Sequence, residues 1–186
     1  IARRMRVREH RVETFYRAAI LWQTEVKDSD RARLALEESC NIDITFKDVF
    51  ERLQAIYIAA SERTELAHLL ERRLEVITEP DERVRMEVLM GQALADVGDT
   101  AAAKQALASA LDSSPDNIPA LQAFVELCAN EQDWAEAEQA LIRLVRLVPD
   151  SEEQASIYRR LGEYRAHAEL RASRSCFARG TQAQTR

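Results

Sequence analysis

Apolar residues along this chain fall at steps of three and four, the spacing that lays side chains along one side of a helix. In "VRMEVLMGQALADV" at 84–97, Met86, Leu89, Met90, Ala93, Leu94 and Val97 keep that rhythm and predict one buried helical face. "GDT" then interrupts it. Gly98 suits the left-handed backbone that ends a helix, and Asp99 or Thr100 can cap the next one through a side-chain oxygen. A second amphipathic stretch, "AAAKQALASALDSS", runs up to Pro115, whose ring cannot continue a helix. The pattern predicts a helical hairpin over 84–117.

That hairpin recurs. Moving 34 residues forward carries Ala103 onto Ala137, Leu107 onto Leu141, Pro115 onto Pro149 and Asp99 onto Asp133. Moving 71 back carries Ala103 onto Ala32, Leu107 onto Leu36 and Asp99 onto Asp28, and takes Leu141 to Leu70 and Ala137 to Leu66. Self-similarity at this period is the mark of a solenoid. The expected fold is therefore all-α, a right-handed α-solenoid of antiparallel helix hairpins. The small residues follow from packing, because two helices approach closely only where side chains are small. Gly91, Ala103 and Ala110 mark the crossing, and Leu107 fills the space beside it.

At these positions the chain resembles the tetratricopeptide repeat family. Gly91, Leu94, Ala103, Leu107, Ala110 and Pro115 follow that family's pattern of small residues, a large apolar residue and a closing proline over about 34 residues. The unit at 118–151 keeps Ala137, Leu141 and Pro149, with Val125 at the glycine place and Leu144 at a small-residue place, so a slightly different crossing is expected there. Units 13–46 and 47–83 are degenerate. The first supplies Ala19, Trp22, Ala32 and Leu36 with one extra residue between its helices, the second Leu53, Tyr57, Leu66 and Leu70. Thr78 stands at the proline place, and Pro80 comes two residues later, which predicts a bent join. About four units are thus expected, with a partial fifth or capping helix at 152–170, where Leu161 and Gly162 pair as in the family. A basic helix extension or arm is expected at 1–12, and a polar, disordered tail at 171–186.

Composition narrows the picture. Four glycines, four prolines and 6% aromatics argue against a sheet protein with many tight turns, while 46% hydrophobic residues suffice for a core. No apolar run approaches the roughly 18 to 20 residues of a membrane span. "IARRMRVREHR" lacks the apolar stretch of a secretory signal, and a chain starting at Ile1 reads as a piece of a longer protein, which leaves its compartment open. Cys40, Cys128 and Cys176 are odd in number and not spaced as disulfide or metal pairs, which leans toward a reducing compartment such as the cytoplasm. Cys40 and Cys128 read as small buried apolar residues on helices, and Cys176 as part of the exposed tail. Residues 1–12 and 165–186 each carry a net +4, which leaves −14 on the body out of a total of −6. An acidic body repels phosphate backbones, so nucleic-acid binding by the folded part is not expected.

Catalytic patterns are absent from the sequence: it has no histidine pair on one helix turn, glycine-rich phosphate loop, serine elbow or EF-hand loop. His10, His68 and His167 read as surface residues on charged helix faces. The alternating signs of "LLERRLEVITEPDERVRMEV" read as a solvated face laced with ion pairs. Trp22 and Trp134 read as packing residues between helices. No metal, cofactor or enzyme activity is expected.

The family resemblance implies a non-enzymatic interaction scaffold whose concave groove, lined by the first helix of each hairpin, holds a peptide segment or helix of a partner. Carried over residue by residue, the groove comprises Tyr16, Ile20, Glu51, Ala55, Ile58, Arg85, Val88, Gln92, Gln122 and Glu126. Some family members grip a C-terminal carboxylate with lysine, asparagine and arginine in this groove, a set that these positions lack. A mixed apolar and acidic strip suits an apolar or basic partner. Alternatives are a spacer or self-assembly segment of a larger repeat protein, with copies pairing through the terminal repeat edge, and a regulatory module attached to an enzyme or to secretion or assembly machinery.

Overall fold

The computed structural model describes the backbone of residues 2–183 and the side chains of residues 6–167, 169 and 170. Among these residues the regular structure is entirely helical. Helices α1 (Ala2–Leu21) and α2 (Ser29–Ile42), α3 (Val49–Ala60) and α4 (Arg63–Leu74), α5 (Pro80–Val97) and α6 (Thr100–Ser113), and α7 (Ile118–Asn130) and α8 (Trp134–Leu147) follow as successive hairpins, and α9 (Ser151–Ala183) comes last. The chain divides into two compact units, Ile1–Met86 and Glu87–Arg186.

Each hairpin turns on a residue with left-handed backbone: Lys27 (φ 57°), Ser61 (φ 58°), Gly98 (φ 90°) and Gln132 (φ 60°). At Gly98 the chain closes with Gly98 N–H donating to the Ala95 carbonyl and Asp99 N–H to the Leu94 carbonyl, and at Gln132 the same pair of bonds joins Gln132 to Ala129 and Asp133 to Cys128. This double bond satisfies carbonyls that a helix end would leave open, and it holds even non-glycine residues in a conformation that costs them about 1 kcal/mol. Asp28, Asp99 and Asn117 then cap the following helices by accepting from the backbone N–H three residues on. The extra residue in the first hairpin is absorbed by a π-helical turn, Trp22–Val26, at the end of α1.

The core repeats with the turns. Leu36, Leu70, Leu107 and Leu141 are all 0–1% exposed. Their spacings match those of the four left-handed residues: one period, a period lengthened by three residues, and one period again. The three additional residues lie between Leu70 and Gly98, a span that includes the link from α4 to α5, where Pro80 opens α5 at a position that needs no N–H. Val125 and Leu144, expected to alter the crossing of the fourth hairpin, are both buried within it.

Two expectations change. The buried stripe of α5 runs through Val84, Glu87, Val88, Gly91 and Ala93, whereas Met86, Leu89, Met90 and Leu94 are half-buried and Val97 is exposed. An α5 apolar on several sides leaves periodicity with more than one solution, and the close approach at Gly91 selects among them. A Cβ placed on Gly91 would lie 2.6 Å from Leu107 Cγ and 3.3 Å from the Ala103 carbonyl oxygen. Residues 171–183, expected in a disordered tail, continue α9 as helix. No proline follows Pro149, and Gly180 alone is a mild helix breaker. The remainder of that tail, 184–186, and the Cys176 side chain lie outside the described residues.

Candidate partner-binding surface

In the first unit, α1 presents Tyr16 and Ile20 into an open cleft of about 520 Å³, lined also by Glu13, Arg17, Leu21, Lys47 and Arg52. Tyr16 is fixed from three sides. Its hydroxyl donates to Asp48 Oδ1 at 2.6 Å, its ring meets Phe46 edge-on at 5.7 Å, and Lys47 Nζ lies 4.6 Å from its centroid. The hydrogen bond to the ionised Asp48 holds the Tyr16 phenol above its ordinary pKa, and the same bond, with Arg52 beside it, holds the Asp48 carboxyl below its own. Glu13 accepts from Lys47 Nζ at 2.9 Å and from Arg17 Nε at 2.7 Å, and these donors lower its pKa.

The other expected groove positions distribute as follows. Glu51, Ala55 and Ile58 are exposed along α3, with Ile58 42% exposed. Arg85 and Gln92 are exposed on α5, and Gln122 and Glu126 on α7. Val88 is buried and belongs to the core, because it shares the stripe that the Gly91 crossing pulls inward. Nor is the surface simply acidic. Glu126 is engaged by Arg160 of α9 at 2.8 Å, and the α1 cleft is rimmed by three cations.

Glu13, Arg17, Leu21, Lys47, Asp48 and Arg52 were missed by repeat matching, yet a signal exists. Glu13 and Lys47, and likewise Glu126 and Arg160, stand one period apart in opposite sign and meet in the structure. Equivalent positions of successive hairpins are neighbours, so charge pairs at that separation mark adjacent repeats.

Elsewhere the polar groups are occupied with one another. A recess of about 320 Å³ between α2, α3 and α4 contains Tyr57, which donates to Glu37 at 3.0 Å, and Arg72, which donates to the Cys40 carbonyl and to Asn41. Among the described residues no three His, Cys, Asp or Glu side chains are grouped to hold a metal ion, and no helix is long and apolar enough to cross a membrane. His10, His68 and His167 are exposed, His167 stacking on Trp134 at 5.0 Å. Trp134 also packs on Tyr164 at 5.1 Å and so joins α8 to α9, whereas Trp22 lies beneath the Arg31 guanidinium at 4.8 Å.

Successive antiparallel hairpins with a shared internal register define an all-α helical-repeat protein of the solenoid class. Residues 94–161 match the model of the tetratricopeptide repeat family. Among solved structures, MamA aligns with a TM-score of 0.66 at 14% identity over 92% of this chain and 90% of that one. YrrB, a tetratricopeptide repeat protein with an unusual peptide-binding site, aligns at 0.61 with 17% identity over 83% and 76%. Pseudomonas aeruginosa pilF aligns at 0.58 with 16% identity over 87% and 72%. No curated protein sequence matches the chain. At these identities the structural likeness is one of fold, and the similarity to the tetratricopeptide repeat family in sequence is carried by residues 94–161.

Proposed function

We propose that the chain is a protein–protein interaction scaffold without catalytic chemistry of its own, and that it holds a segment or helix of a partner on the outward faces of α1 and α3. A scaffold role is supported by the helical-repeat fold and the family match at 94–161, and the choice of faces rests chiefly on one observation. Ile20 and Leu21 on α1 line an open, largely apolar cleft, and Leu21 is 57% exposed. Ile58 on α3 adds a further exposed aliphatic side chain. Apolar side chains left open on these helices supply affinity to a segment that covers them. The fold shared with the peptide-binding YrrB supports the same reading. Site-specific photo-crosslinking in cells tests it, with benzoylphenylalanine at Ile58 on α3 and, as control, at Leu34 on α2, which is more exposed still at 56%. A protein adduct formed at 58 and not at 34 is expected. Adducts at 34 alone would move the interaction to the second helices and overturn the reading.

A second reading, self-assembly through the terminal helix, draws on Tyr158 and Leu170, which are 61% and 58% exposed on α9. It expects Tyr158→Glu to lower the sedimentation coefficient, and an unchanged monomer in both forms would remove it.

A further inference from the structure

The α1 cleft carries charge that apolar contact alone does not use. Arg17, Lys47 and Arg52 line it, and the acids paired with them are Glu13 and Asp48. Glu13 serves both Arg17 and Lys47, while Asp48 pairs with Arg52 at 2.8 Å. Three cations against two carboxylates leave a positive excess, in a chain whose formal charge is −6. Lys47 is held at the mouth of the cleft by its backbone, which is left-handed at φ 47°, and by the rings of Tyr16 and Phe46, 4.6 and 5.0 Å from its Nζ. A non-glycine residue kept in that conformation needs support from its surroundings, and here the two rings and Glu13 provide it. Arg17 is different: its Nε donates to Glu13 at 2.7 Å, while its side chain as a whole is 75% exposed and open to a ligand.

We infer that this cleft takes an acidic, apolar segment of a partner protein. An aliphatic side chain of that segment lies on Ile20, Leu21 and the Tyr16 ring, and a neighbouring carboxylate lies between Arg17 and Lys47, offsetting the charge that Glu13 leaves uncompensated. The inference rests on the groove reading above and names the occupant of its first hairpins. Charge also excludes the chain's own C-terminal segment as that occupant, because residues 171–186 carry four arginines and no acid. A basic partner, which the acidic body favours in general, is repelled at this site.

Fluorescence anisotropy tests the inference with three fluorescein-labelled dodecapeptides of identical leucine spacing, whose polar positions are all glutamate, all glutamine or all lysine. The full chain is expected to bind the glutamate peptide about tenfold more tightly than the glutamine peptide at low salt, and the lysine peptide most weakly. That preference shrinks at about 0.5 M salt. It is lost in Arg17→Gln and in Lys47→Gln, while Ile20→Ser weakens all three peptides. Arg17 is exposed enough for its variant to keep the fold, as circular dichroism will report, so the test survives misfolding of the Lys47 variant. Equal binding of the three peptides, still lost in Ile20→Ser, would overturn the charge inference and leave the groove reading standing. Survival of the glutamate preference in Arg17→Gln would overturn it as well. Failure of all three peptides to bind would overturn both.

Discussion

In the α5–α6 hairpin, Gly91 lies against Leu107 and the Ala103 carbonyl, with the buried alanines 103, 106 and 110 along the seam. The hairpins of the first unit place other groups at their junctions. Arg33 of α2 reaches Glu62, Tyr57 of α3 donates to Glu37, Arg72 of α4 donates to the Cys40 carbonyl and Asn41, and Ser39 donates to the Val12 carbonyl. Both units bury a leucine at the same repeat position, so the apolar core is common to them. What differs is the steric fit: a glycine stands at a helix crossing in the second unit and the first unit has none, while directional polar bonds occur in both, as where Ser109 donates to Glu87. A steric seam tolerates few residue types, whereas a polar junction can be built from many donor and acceptor pairs. The family match, confined to 94–161, falls wholly within the second unit.

The largest effect expected of any single change tests the steric half. Gly91→Leu drives a side chain into Leu107, which is 1% exposed, and overpacking of this kind costs about 3 kcal/mol. Gly162 in α9 lies three residues past the place one period on from Val125, and among the described residues nothing lies within 4 Å of a Cβ built there. Gly162→Leu is therefore expected to be neutral or to stabilise by up to about 1 kcal/mol through helix propensity. Urea unfolding of the two variants measures the contrast. Equal losses would mean that glycine is required at both places for its backbone and not for the space it leaves.

The same difference explains what could be read from the sequence. Gly91, Ala103, Leu107 and Ala110 act through size, which a one-dimensional pattern records, so the hairpins and their turns were legible wherever packing is steric. Val88 was not, because a helix apolar on several sides gives periodicity no unique buried face. The left-handed Lys27, Ser61 and Gln132 were hidden too, since the hydrogen bonds of the turn, and not the residue type, hold them there. At the cleft, Tyr16 and Ile20 follow from repeat position. The cations around them depend on which side chains meet across a period, and only the opposite signs of Glu13 and Lys47 at that separation hint at it.

Alkaline pH sharpens the comparison at a second position. Burial pushes the Cys128 thiol up to about 11 from its ordinary 9.0, with Lys104 nearby opposing the rise. In the unfolded chain the thiol ionises first, so Cys128 contributes its full stability below about pH 9 and loses it as pH climbs through about 11. The loss is on the order of 2 kcal/mol. Cys40 in the first unit is also raised by burial, with the Arg72 cation pulling against it. Thermal unfolding between these pH values is expected to fall more steeply in the unaltered chain than in Cys128→Ala, with a smaller change in slope for Cys40→Ala. Parallel slopes for all three proteins would show that neither thiol is shielded enough to couple to folding.

The smallest effect concerns the polar half. Arg33 Nη1 lies 2.6 and 2.8 Å from the two Glu62 oxygens, and its Nε lies 3.5 Å from Glu37. Both Arg33 and Glu62 side chains remain 31% exposed, so water screens much of the attraction. A double-mutant cycle with Arg33→Met and Glu62→Gln is expected to give a coupling of about 1 kcal/mol at low salt, shrinking as salt is raised. Methionine keeps an apolar stem on α2, so the cycle isolates the charge contact from the packing that the arginine chain also provides. A coupling indistinguishable from zero would mean that this ion pair is a consequence of a register already fixed by Leu36, Leu53, Leu66 and Leu70 together with the bonds of Tyr57, Arg72 and Ser39, and not one of its causes.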